Sequence, residues 1–162
     1  MEVICYTHKG LVMLLKELGI QLNKPLMHLL AWLMLALLEK TAAHLSRLAE
    51  KLPDDNTNDM ARRQKVRRFM SNSRIFPYLF LHALVILIRP LFHNASILEL
   101  VMDRTEWIRR GIPVNVLNVA LHYKGRSIPL FWSVFNHRGN TSFQDWKAVL
   151  TPVIETLRSA TW

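Results

Sequence analysis

A chain of 162 residues holds one ordinary domain, or a small domain with an appendage, and an apolar content of 51% supplies a core and excludes global disorder. The 21 Lys and Arg against 12 Asp and Glu leave a formal charge of +9, which favours a polyanionic partner, nucleic acid first and an anionic membrane surface second. The lone cysteine, Cys5, excludes an intrachain disulfide and suits a reducing compartment, and the scattered histidines fall at no zinc-finger spacing.

The first elements read as helices. Leu11–Leu18 predicts one that stops at Gly19. A second begins near Pro25, runs to about Lys40 and is apolar on most sides, which predicts burial. Thr41 is the expected cap of a third, whose Leu45, Leu48, Ala49 and Leu52 share one face; Pro53 ends it, and Asp54–Asp59 reads as a polar turn. A basic helix follows, with Val66, Phe69 and Met70 as an apolar stripe for docking. Pro77–Leu91, closed by Pro90, is one more apolar helix. The apolar runs Leu29–Leu38 and Pro77–Ile88 fall short of the roughly 18–20 residues that a membrane span needs. The N-terminus lacks the basic-then-apolar order of a secretion signal, so the expected location is cytoplasmic.

Past residue 93 the pattern turns to strands, giving an expected α+β class. Ile97–Met102 is short and apolar, reads as a strand buried on both faces, and stops at a carboxylate, Asp103. Val114–Tyr123 is a second strand, Lys124–Gly125 a turn, and Ser127–Phe135 a third strand in which Pro129 prefers a sheet edge or the first pairing position. Asn136–Asn140 is a loop. Thr141 or Ser142 then caps a last helix over Phe143, Trp146, Val149, Leu150, Val153 and Leu157, interrupted by Pro152.

The charge is concentrated. Arg62, Arg63, Lys65, Arg67, Arg68 and Arg74 lie within residues 61–74 with no acid among them, and they carry two-thirds of the net +9. The plain reading is a solvated helix face. Against it, like charges this close repel unless something neutralises them, and phosphates would do so while releasing counterions. Helix, polar turn and basic helix over Thr41–Asn72 are compatible with a helix-turn-helix whose turn is longer than usual.

The stretch LVMDRTEW, a strand ending in YKG, then IPLFW, then NHRGNTS leading into a helix, resembles insertion-sequence transposases of the DDE type, over roughly residues 40–160. The upstream RRQKVRRFM is similar to the N-terminal DNA-binding region of that family. The resemblance implies a helical DNA-binding region over residues 1–92, followed over residues 93–162 by the first half of an RNase H-like domain, a three-stranded antiparallel meander plus helix. It implies that Asp103 is the first catalytic carboxylate and a ligand for divalent metal, Mg²⁺, in DNA strand cleavage and transfer. Such in-line phosphoryl chemistry uses two ions about 3.5–4 Å apart, and hard ions prefer carboxylate oxygen. Arg104 and Thr105 receive no catalytic role; Glu106 is either a supporting group or surface.

The family needs three acids, and the chain stops at Trp162, about the end of the first helix after the meander. Asp145 and Glu155 match no catalytic position. The expectation is therefore a truncated or partial bacterial transposase that binds transposon ends in the nucleoid but does not cleave or join DNA alone. The alternative is a non-catalytic regulatory or inhibitory protein that pairs with full-length transposase or with itself, offering the apolar helices Leu26–Leu38 and Pro77–Ile88 as a partner surface. A peripheral membrane protein using the basic helix against acidic lipid ranks last.

Overall fold

Local signals place most of the helices. In the computed structural model, which describes residues 7–39, 44–53, 58–135 and 139–160, α1 spans His8–Glu17 with Thr7 as its cap. It ends where Gly19 takes a positive φ of 76° and the amide of Ile20 donates back to the carbonyl of Leu15 at 3.0 Å. The second helix, α2, spans Lys24–Glu39; Asn23 caps it, its side-chain oxygen accepting from the amide of Leu26 at 3.1 Å. As its composition predicts, α2 is buried around much of its surface, at Met27, Leu29, Leu30, Ala31, Leu33 and Ala36.

Helix α3 is short, Leu45–Glu50, and buries Leu48 and Ala49, with Leu52 just beyond. The expected cap, Thr41, lies outside the described residues, as do residues 54–57 of the expected polar turn. The end of that turn already belongs to the next helix: α4 spans Asp59–Met70, and Asn58 caps it by accepting from the amide of Ala61 at 2.8 Å. α3 and α4 pack against each other.

Helix α5, Pro77–Ile88, runs on into a 3-10 turn at Arg89–Phe92, where Pro90 closes it. The strands follow: β1 Leu100–Arg109, β2 Ile112–Tyr123 and β3 Arg126–Phe135, paired antiparallel in the order β1-β2-β3. Both turns use left-handed backbone at two successive residues, Arg110–Gly111 and Lys124–Gly125, the geometry that a two-residue hairpin needs to match strand twist. Leu130 is the extra residue of a bulge in β3, beside Pro129, which sits on an edge strand of this sheet. Last comes α6, Phe143–Ser159, capped by Ser142 in a reciprocal box with Asp145.

One face of the sheet carries the core. Leu117, Val119 and Leu121 of β2 and Leu130 and Phe131 of β3 pack with Leu81, Val85, Ile88 and Phe92 and with Val149, Val153 and Leu157 of α6. The chain accordingly divides into two compact units, Met1–Phe76 and Pro77–Trp162. This moves the boundary expected at residue 92: α5 belongs with the sheet because its apolar stripe completes that core.

Three further expectations are corrected. β1 begins later than Ile97 and runs through Asp103 to Arg109, and it is not buried on both faces, since Val101 is 40% and Trp107 55% exposed. Pro152 does not interrupt α6; it is buried within a continuous helix, and Ala148, whose carbonyl loses the usual donor, lies on the exposed side. The apolar stripe of α6 is buried from Val149 onward, while Phe143 is 78% and Trp146 45% exposed.

Candidate functional site: the basic helix and the Asp103 strand

The basic helix lies in the first unit. Val66 and Phe69 are buried and fix its orientation, whereas Met70, expected to join them, is 54% exposed. At 100° per residue, the face opposite the buried pair carries Met60, Gln64, Arg67 and Arg68, flanked by Arg63 and Lys65. All six of these residues are exposed. A shallow depression of about 470 Å³ runs between Asp59, Met60, Arg63, Gln64 and Arg67. Four cations of the original set therefore stand outward on one rigid element.

Arg62 differs from them. Its side chain is only 24% exposed and is tied to Asp59, Nη2 to Oδ1, at 2.5 Å. Asp59 is the acid of the first helical turn, so this pair belongs to the helix start and is poorly placed to hold a phosphate. Arg74 lies past the helix in a turn, exposed, its amide held by the side chain of Asn72 at 2.9 Å. Sequence reasoning weighted Arg62 equally with its neighbours; the Asp three residues earlier was the available signal.

Asp103 lies in the second unit, as the fourth residue of β1 rather than at the strand's end. It is exposed and stands directly across from Asn118, which in turn faces Trp132 of β3. Its neighbours on that face are Val101 and Thr105. Alternation puts Asp103 on the face opposite the helical core, because Leu100 and Met102 pack against that core. Asp145 and Glu155 ride on α6, which covers the other face, and Asp145 is already committed to the cap, its Oδ2 accepting from the amide of Ser142 at 2.7 Å. Neither acid joins Asp103. Among the described residues, no three His, Cys, Asp or Glu side chains converge on a point where an ion could sit. One carboxylate beside one amide falls well short of the oxygen set that Mg²⁺ takes, so the residues present do not fit a two-ion centre.

Arg104 has a part that the sequence did not disclose. It points to the helical side, where its guanidinium donates to the carbonyl of Gly139 and lies 3.7 Å from Glu106. The buried amide of Asn115 donates to the same carbonyl at 3.2 Å. Two strands thereby grip the loop that leads into α6. This is why DRTEW and Gly139, distant in sequence, belong to one structural feature. Beside it opens a cleft of about 510 Å³ lined by Arg104, Asn140, Thr141, Phe143 and Trp146.

None of the described helices is long and apolar enough to cross a membrane. Comparison with protein-family models, with characterised proteins and with solved structures gives no match.

Proposed function

We propose that the chain is part of a DDE-type insertion-sequence transposase, in which α4 holds DNA through phosphate contacts and Asp103 occupies the position of the family's first catalytic carboxylate. The observation that carries the DNA-binding part is the outward placement of Arg63, Lys65, Arg67 and Arg68 on a helix anchored by Val66 and Phe69. Exposed positive groups this close together on one helix repel one another in the free protein. A phosphate backbone relieves that repulsion and returns counterions to solution. The transposase part rests on the resemblance of the ordered motifs and on Asp103 standing on the first strand of an antiparallel meander that an α-helix follows. With a single carboxylate in place, the chain binds DNA without cleaving it. Mg²⁺ would reach Asp103 only with acids from outside the described residues.

The test is a mobility shift with a DNA duplex over a salt series. Binding should weaken steeply with salt, and joint neutralisation of Arg63, Lys65, Arg67 and Arg68 to Gln should abolish most of it. Undiminished binding by the neutralised protein would reject the assignment. Metal-dependent nicking that disappears in Asp103→Ala would reject the inactive reading.

A second reading, a regulatory protein that pairs with an intact transposase or with another copy, is favoured by the sheet's outer face. Trp107, Ile112 and Val134 there are 55%, 60% and 59% exposed. Of the helices first expected to offer this surface, α2 keeps Leu37 and Leu38 exposed and α5 keeps Tyr78, Ile86 and Leu87 exposed. Co-purification with an intact transposase, lost on Trp107→Ser, supports this reading; no complex and no effect on transposition counts against it.

A further inference from the structure

The cleft at the start of α6 lies in the second unit, on the face of the sheet opposite Asp103, and the proposed function does not use it. Its lining is unusual for a surface depression. The apolar stripe of α6 continues past the core, and its last two members, Phe143 and Trp146, stand three residues apart on one side of the helix with 78% and 45% of their surface exposed. The indole is not loose: its Nε1 donates to the hydroxyl of Thr141 at 2.6 Å, which sets the plane of the ring. The guanidinium of Arg104, tied to the Gly139 carbonyl, offers a further planar group in the same lining. Asn140 and the remaining hydrogen of Thr141 provide polar edges.

Three kinds of ligand can be weighed against this inventory. A plain apolar group would leave the guanidinium, amide and hydroxyl without use. A free anion would meet Arg104 but also Glu106, 3.7 Å from that guanidinium, and the carboxylate of Asp145 at the helix start. A neutral, flat ring with a polar edge uses everything: stacking on the aromatic side chains, a guanidinium plane, and hydrogen bonds from the amide and hydroxyl. At about 510 Å³, the cleft has the size of a small-ligand site.

The geometry points to a binding site for an unpaired nucleobase at Phe143, Trp146, Arg104 and Asn140, taken from a single-stranded segment of DNA. The assignment deepens the DNA-binding reading by naming a second contact, separate from α4, that engages bases rather than phosphates. Stacking on exposed aromatic side chains is tolerant of sequence, so the site distinguishes single-stranded from paired DNA rather than one base from another.

Two titrations of the full chain test it. In the first, a duplex with a short single-stranded overhang is compared with the same duplex blunt-ended. The overhang should tighten binding by about tenfold, the worth of roughly one stacked base. Phe143→Ala, which removes a ring too exposed to support the fold, should erase that advantage and leave blunt-duplex affinity unchanged. Equal affinities for the two duplexes in the wild type, or an advantage that survives Phe143→Ala, overturns the site. The second titration uses a short single-stranded oligonucleotide containing 2-aminopurine, which needs no contact from α4. Its emission should be quenched by the wild type and not by Phe143→Ala, and free 2-aminopurine nucleoside should be quenched far more weakly. No quenching of the oligonucleotide overturns the site, as does equal quenching of nucleoside and strand. Change in self-association on Phe143→Ala, without change in quenching, assigns the cleft to a protein contact and overturns it too. Loss of blunt-duplex binding with quenching intact strikes the α4 reading alone.

Discussion

Arg62 and Arg67 stand five residues apart on the same helix, and the fold gives them opposite expected behaviour. Arg67 points outward with Arg63, Lys65 and Arg68, whereas Arg62 is bent back onto Asp59 and is 24% exposed. If each of the four outward cations neutralises one phosphate, log affinity should fall with log salt at a slope of about −3.6, so raising salt from about 50 to about 200 mM costs about 150-fold. Arg67→Gln removes one contact; its slope should be about −2.7 and the same salt change should cost about 40-fold. Arg62→Gln should leave the slope at the wild-type value and cost well under about 1 kcal/mol of stability, since a half-exposed pair within one helix is worth little. Fluorescence anisotropy with a labelled duplex at several salt concentrations measures the slopes, and urea unfolding measures the stabilities. Equal loss of slope in the two variants would refute the division of the arginines into outward and helix-bound groups.

Three other expectations test the fold itself. Leu117→Ala removes a side chain that is 1% exposed from the centre of the sheet core and should cost about 2–5 kcal/mol by urea unfolding. Ser142→Ala breaks the reciprocal cap of α6 and should cost about 1 kcal/mol; Ser142→Asp should recover most of that loss, read from the same unfolding curves. Asp103→Asn should change stability by less than about 0.5 kcal/mol, because the carboxylate is exposed on the sheet's outer face.

The helices were largely legible because their ends are written in local chemistry. Gly19, Pro25 and Ser142 each mark a terminus by a property that no neighbour can override. The meander was legible too, through its β-branched runs and the Lys124–Gly125 turn. What escaped was β1. A rule that ends a buried strand at a charge stopped it at Asp103, but this strand lies at a sheet edge with one face open. Asp103 and Thr105 sit on that open face at no cost, while Arg104 turns inward and finds the Gly139 carbonyl. Its turn, Arg110–Gly111, carries a weaker sequence signal than an Asn-Gly pair would.

The candidate site was legible as composition and not as geometry. Six cations within residues 61–74 announce a basic segment, but which of them face solvent depends on where Val66 and Phe69 dock and on Asp59 capturing Arg62. The aromatic pair on α6 was misread for the related reason that periodicity marks a face without saying how far the core extends beneath it. Phe143 and Trp146 obey the helical stripe and overrun the sheet.

Amide chemical shifts of the full chain during titration with a short duplex report directly whether α4 is the element that meets DNA. The largest changes should fall on residues 60–68, reverse on adding salt, and leave the amides of β1 around Asp103 unmoved. Changes centred on the sheet or on α5, with α4 silent, would contradict the assignment of DNA contact to α4.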